Sequence, residues 1–234
     1  MRIVLVEPRN PLNIGAAARA MLNFGFSELW IVNPWEKAFR DAKSAMGAAQ
    51  VLRDAQVTQD LAEALGPAEL VVAASALQGR STDIVQRELE TGALSLRTQL
   101  DERPAALMFG SEKFGLSREQ LSFCDWILTI PTEPRCPSMN LGQAVAVCCY
   151  ELARRAKPVP TLQTPTSISA EERDRILGIL VPILNDSGFL FDGNEESQTL
   201  KLRRWISRLR LAPKDGLLLQ GMLRQIRWRL DHPG

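Results

Sequence analysis

Five short apolar runs punctuate the chain, and each is closed by turn-forming residues. They are IVLVE (3–7), LWIVNP (29–34), LVVAASA (70–76), AALMFG (105–110) and WILTIP (126–131). Their apolar residues follow one another without polar alternation, the pattern of strands buried on both faces of a sheet. Helical spacing fills the gaps. Residues 13–24 are rich in alanine and stop at Gly25, and 44–65 and 83–97 also read as helix. Ser117 and Gln120 form the two ends of a capping box over a short helix at 117–121. A small-and-apolar run from Leu141 to Leu152 predicts one more buried helix. Strands alternating with helices predict an α/β layer with a mostly parallel sheet.

The pattern changes after residue 156. KPVPTLQTPTS (157–167) has no apolar periodicity and reads as a linker. Beyond it, Ser169-Ala-Glu-Glu172 is a second capping box, opening a helix through Leu184, and helices near 196–210 and 214–230 follow. The expected organisation is a sheet domain over 1–156, a linker at 157–167 and a small helical domain over 168–234.

Composition narrows the function classes. Hydrophobic residues make up 45% of the chain and charged residues 24%, the balance of a water-soluble globular protein. No apolar run reaches the roughly 18 residues of a membrane span. The N-terminal apolar run stops at Glu7 and reads as a first strand rather than a signal peptide, so a cytoplasmic protein without membrane contact is expected. Cysteines 124, 136, 148 and 149 match no zinc-ligand spacing, and the only histidine is His232. No metal site and no histidine-based triad is expected. The net charge of +1 hides an asymmetry. Residues 201–229 hold nine Lys/Arg and one acid, Asp215, a local excess that suggests a polyanion partner or a solvated helix face. Along the helix near 196–210, Leu200, Trp205, Ile206 and Leu209 share a face, which assigns Trp205 to a core or dimer contact rather than a base stack.

Ligands of parallel α/β sheets bind beyond the carboxyl ends of the strands, so the segments after each run carry the candidate chemistry. The first is EPRNPLNIGAAAR, where Asn13 is placed to cap a helix, Gly15 to permit close approach, and Arg19 lies in the second turn. The third strand leads to Ser75-Ala-Leu-Gln-Gly-Arg80, the fourth to FGSEKFGLS with Gly110, Glu112 and Gly115, and the fifth to IPTEPRCPSMN. Singly, each residue serves equally as a turn glycine or a solvated side chain. Together they gather polar groups at one sheet edge. Neither a GxGxxG fingerprint nor a Walker A lysine loop is present, which removes support for dinucleotide and P-loop chemistry. Ser138 and Asn140 both precede the 141–152 helix, and one cap needs only one of them.

Three of these segments resemble a known family. N-x-G-x-x-x-R (13–19), FGSEKFGLS (109–117) and IPTEPRCPSMNLGQAVAV (130–147) are similar, in order and register, to the motifs of the SpoU (SPOUT-class) RNA 2′-O-ribose methyltransferases. Within that class the chain looks most like the TrmJ subgroup of tRNA methyltransferases. The resemblance covers about residues 1–155, and the tail is similar in kind to that subgroup's extension. It implies a deep trefoil knot over roughly 108–155, although threaded chains are rare. It implies S-adenosyl-L-methionine as cofactor, held by Ser75, Ala76, Leu77, Gly110, Ile130, Pro137, Ser138 and Met139. It implies a homodimer whose site is completed across the interface, with Asn13, Arg19, Glu112, Ser138 and Asn140 as active-site residues. The implied substrate is tRNA, at anticodon-loop position 32. The third-strand loop departs from the subgroup, which has Ser-Ala-Arg where this chain has Ser75-Ala76-Leu77, with Arg80 three positions on. An rRNA methyltransferase and a catalytically silent RNA-binding dimer are the competing readings.

Overall fold

The computed structural model describes residues 1–35, 49–76, 83–100, 102–154, 167–190 and 195–232. Seven strands form one sheet: β1 (Arg2–Val6), β2 (Leu29–Val32), β3 (Gln56–Thr58), β4 (Leu70–Ala74), β5 (Gln86–Glu88), β6 (Ala105–Phe109) and β7 (Trp126–Thr129). Their order across the sheet is β3-β2-β1-β6-β4-β7-β5, and every pairing is parallel. The five strands read from apolar runs are the five central ones. β3 and β5 correct the helices expected over 44–65 and 83–97. Both are three-residue edge strands with largely exposed side chains, so neither leaves an apolar run in the sequence. Residues 44–48 lie outside the described residues. The rest of that first window forms α2 (Ala49–Asp54), β3 and α3 (Leu61–Leu65), the last opened by Asp60, whose side chain accepts from the Ala62 N–H at 2.9 Å.

Helices cover both faces of the sheet. α1 (Pro11–Asn23), α4 (Leu89–Leu100) and α6 (Leu141–Ala153) close one apolar layer with Ile3, Leu5, Leu107 and Leu128. α3 and α5 (Arg118–Leu121) close the other with Val4, Val71 and Met108. The crossing of α1 and α6 is close. A Cβ built on Gly142 would lie 2.6 Å from the Ala16 Cβ, which gives the small-residue composition of the 141–152 helix a packing reason. Gly15 has no such role among the described residues, since a Cβ there meets nothing within 4 Å. Asn13 is not the cap of α1 either. Asn10 accepts from the Leu12 N–H at 2.9 Å, and Pro11 takes the first helical position.

Three further helices follow: α7 (Ala170–Asp186), α8 (Glu195–Leu209) and α9 (Pro213–Asp231). The capping box at Ser169 and Glu172 forms as read. These helices share a core of Ile168, Ile176, Leu177, Ile183, Ile206 and Leu223. They also dock on the sheet layer. The Ala170 N–H donates to the Ala68 carbonyl at 2.8 Å, and the Ser167 N–H to Glu69 Oε2 at 3.1 Å. Arg173 Nη1 reaches Asp125 Oδ1 at 2.9 Å, with both side chains under a tenth exposed. Asp125 Oδ2 in turn accepts from the Val71 N–H at 2.8 Å, so one carboxylate joins α7 to β4 at the start of β7. The linker residues 157–166 lie outside the described residues. No helix among the described residues is long and apolar enough to cross a membrane.

Candidate active site

A cleft of about 350 Å³ opens beyond the carboxyl ends of β4, β6 and β7. Three loops build it: 74–76, 110–116 and 130–139. The first turns of α6, through Leu141 and Ala144, complete the wall. The 110–116 loop is a tight turn. Ser111 and Gly115 exchange backbone hydrogen bonds of 3.2 and 2.8 Å, and Gly115 sits at φ +65°. Gly110 is obligatory there, because a Cβ would lie 2.2–2.5 Å from backbone atoms of Gly115 and Leu116. The 130–139 loop is pinned by Thr132 Oγ1, which donates to the Pro137 carbonyl at 3.1 Å. Ser75 is tied to β7 by its N–H, 3.1 Å from the Leu128 carbonyl.

Beside the cleft runs a polar chain between segments far apart in sequence. Asn140 Nδ2 donates to Asn13 Oδ1 at 2.7 Å, and Asn13 Nδ2 donates to Glu112 Oε1 at 2.9 Å. Glu112 also accepts from the backbone N–H of Asn10 at 3.1 Å (Oε1) and of Arg9 at 3.0 Å (Oε2). Burial pushes the Glu112 carboxyl up, but the hydrogen bonds from Asn13 and from the backbone N–H groups of Arg9, Asn10 and Glu112 itself outweigh it and hold the group below its ordinary range. The depressed value means this junction is fully tied at neutral pH and loosens only as acid protonates Glu112. Asn140 caps α6 as well, accepting from the Gln143 N–H at 3.3 Å. The two polar residues before that helix therefore divide the work: Asn140 caps it and joins the chain to α1, while Ser138 lines the cleft.

Of the residues expected to hold a cofactor, Ser75, Ala76, Gly110, Ile130, Pro137, Ser138 and Met139 all line the cleft. Leu77 and Arg80 lie outside the described residues. Of the expected active-site residues, Glu112 and Ser138 line the cleft, and Asn13 and Asn140 stand in the polar chain behind it. Arg19 is not brought to it. It lies six residues beyond Asn13 along α1, exposed, and is not among the lining side chains. The sequence reading missed Arg9 and Asn10, which act through their backbone N–H groups, and Lys113, Phe114 and Thr132, whose places depend on how the loops close. His232 is remote from the cleft, at the end of α9 with its ring against Trp228.

The basic stretch is reduced by internal pairing. Arg203 pairs with Asp174, Arg204 with Asp83 and Arg227 with Asp186 and Asp231. Lys201, Arg208, Arg210, Lys214, Arg224 and Arg229 remain exposed. Ile206 is the core residue of α8, whereas Trp205 is 42% exposed, so Trp205 is not part of this chain's core.

A parallel sheet with a loop-built cleft at its carboxyl edge defines an α/β protein of the ligand-binding, switch-point kind. Residues 1–150 match the model of the SpoU rRNA Methylase family, and the chain belongs to that family. It is 33% identical, over 97% of its length and 95% of the relative's, to the tRNA (cytidine/uridine-2′-O-)-methyltransferase TrmJ of Cronobacter sakazakii. The crystal structure of TrmJ from Z. mobilis ZM4 superposes with a TM-score of 0.84 at 29% identity, covering 97% of this chain and 98% of that one. A probable methylase family protein from Haemophilus influenzae Rd KW20 gives a TM-score of 0.56 at 28% identity, over 98% and 97% of the two chains.

Proposed function

We propose that the protein transfers a methyl group from S-adenosyl-L-methionine to the ribose 2′-hydroxyl of a cytidine or uridine in tRNA. The observation that carries this is the cleft itself, with the Asn140–Asn13–Glu112 chain along its edge. The cofactor fits the residues present. Among the described cleft-lining residues only Glu112 and Lys113 carry charge, and Ile130, Met139 and Leu116 offer apolar surface for a neutral purine. Ser75 and Ser138 supply hydroxyls, and the missing Cβ of Gly110 lets the turn close. When bound, the cofactor supplies an electrophilic sulfonium methyl. The tRNA substrate is supported by the named activity of the full-length TrmJ relatives.

The side chains prepare the acceptor. Both oxygens of Glu112 already accept hydrogen bonds, and the carboxylate is a weakened base, so Glu112 is a positioning residue that locks the 110–116 turn to the start of α1. Ser138, beside it in the cleft, orients the ribose. Arg19 is the cation for the phosphate next to the target nucleotide. A guanidinium has five donors and no acceptor, so it steers the 2′-hydroxyl and leaves proton removal to the phosphate oxygens or solvent. Arg19 is exposed on α1 and does not line the cleft of its own chain; on this reading it serves the cleft of a second copy, and the working unit is a homodimer. The same reading carries the knot over roughly 108–155, supported by the close packing of α6 on α1 and by the two cleft loops, 110–116 and 130–139, that fall within that span. It also carries the division into a 1–156 catalytic unit and a 168–234 RNA-gripping unit, supported by the separate apolar core of the three C-terminal helices and their exposed cations.

Subunit mixing tests the shared site. Arg19→Ala and Glu112→Ala homodimers should each be inactive. Dimers formed by mixing them contain one site with both residues intact, so roughly a quarter of wild-type activity should return on re-equilibration. A mixture as dead as its parents would refute the shared site.

A further inference from the structure

Phe114 is the large apolar side chain that the cleft leaves in solvent, 57% exposed at the mouth of the site. It is not on a loose loop. The Ser111–Gly115 bridge closes the turn that carries it, and its N–H donates to Ser111 Oγ at 3.3 Å. Two cations gather on its ring. The Arg9 guanidinium carbon lies 5.7 Å and Lys113 Nζ 5.0 Å from the ring centroid. Arg9 and Glu112 are themselves joined through the Arg9 N–H, so the backbone at Arg9 is tied to the turn that carries Lys113 and Phe114.

An exposed aromatic ring flanked by cations is the pairing that binds unpaired nucleotides: the ring stacks a base and the cations take the adjoining phosphates. We infer that Phe114, with Arg9 and Lys113, is a stacking platform for a base of the substrate RNA next to the methylated nucleotide, and so helps select an unpaired target. An acidic protein partner would suit the cations but leave the ring without a purpose at the mouth of a nucleotide cleft. The inference rests on the proposed reaction, which places single-stranded RNA at this cleft. It adds a residue that holds the substrate rather than the cofactor.

The test compares full-length Phe114→Ala, Phe114→Leu and Phe114→Trp proteins. The probes are a fluorescein-labelled single-stranded RNA oligonucleotide of mixed sequence and bulk tRNA. Stacking predicts that Ala and Leu weaken oligonucleotide binding about tenfold while Trp keeps it. KM for tRNA should rise with kcat little changed, and S-adenosyl-L-methionine affinity by calorimetry and the sedimentation coefficient should stay at wild-type values. Wild-type binding by the Leu variant would overturn the platform, because an aliphatic side chain fills space but does not stack. A loss confined to cofactor affinity, or a change in oligomeric state, would overturn it too. If the wild-type protein methylates no RNA yet binds the oligonucleotide in a Phe114-dependent way, the proposed reaction fails and the platform stands. Methylation with a KM indifferent to Phe114 would overturn the platform and leave the reaction standing.

Discussion

Replacing Gly110 with alanine should abolish cofactor binding while leaving the protein folded. The added Cβ has nowhere to go. It would sit 2.2 Å from the Gly115 carbonyl carbon, 2.3 Å from the Leu116 nitrogen and 2.5 Å from the Gly115 oxygen. All three are backbone atoms, so no side-chain rotation relieves the clash, and the turn must open. Opening it breaks the Ser111–Gly115 bridge and carries Glu112 away from Asn13 and the Arg9 and Asn10 N–H groups. A displacement of about 1 Å in a site of this kind costs on the order of a hundredfold in rate. The global cost should be about 1–3 kcal/mol, as for other overpacked sites. Calorimetric titration with S-adenosyl-L-methionine, alongside a thermal melt, checks both parts. Gly221→Ala is the control. It lies inside α9 with nothing within 4 Å of the new Cβ and should stabilise by about 0.5–1 kcal/mol without touching the cofactor. Wild-type cofactor affinity in the Gly110→Ala protein would show that the cofactor does not depend on the close-packed turn.

The largest stability effect should come from Arg173→Ala. The Arg173–Asp125 pair is buried on both sides, and its carboxylate also holds the Val71 N–H. Removing the cation leaves a buried charge without its partner, which typically costs about 3–5 kcal/mol. For a protein of this size that is a fall in Tm of about 10 °C. The sheet layer and the C-terminal helices should lose stability together, because the pair joins α7 to the start of β7. Asp125→Asn combined with Arg173→Met should recover much of the loss. The amide still accepts from Val71, and neither member of the pair is left as a buried charge without its partner. A Tm unchanged by Arg173→Ala would show that the junction contributes nothing to stability.

How much of the fold and the cleft was legible in the sequence depended on burial. The five central strands are apolar on both faces and stand out as unbroken runs. β3 and β5 are edge strands of three residues, Gln56–Thr58 and Gln86–Glu88, whose polar side chains face solvent. Their pairing is decided by a neighbour in space, which no local window contains. The cap of α1 differs for a local reason: Asn10-Pro11 carries the stronger capping signal, and Asn13 donates to Glu112 instead. The cleft-lining residues were legible through motif resemblance, because their spacing within each loop is short. The polar chain was not, since its hydrogen bonds span 99 to 127 positions. Arg19 shows the remaining gap. The resemblance put it at the site, and a single chain leaves it on an exposed helix face.

Methyl transfer to a ribose 2′-oxygen of tRNA is measured most directly by product analysis. The protein is incubated with methyl-labelled S-adenosyl-L-methionine and, separately, unmodified bulk tRNA and rRNA, and the product is digested with alkali. A 2′-O-methyl group blocks cleavage at its own nucleotide. The expected result is label in tRNA alone, recovered in an alkali-resistant dinucleotide whose first residue is cytidine or uridine. Label released as a base-methylated mononucleotide, or incorporated only into rRNA, would contradict the proposed reaction.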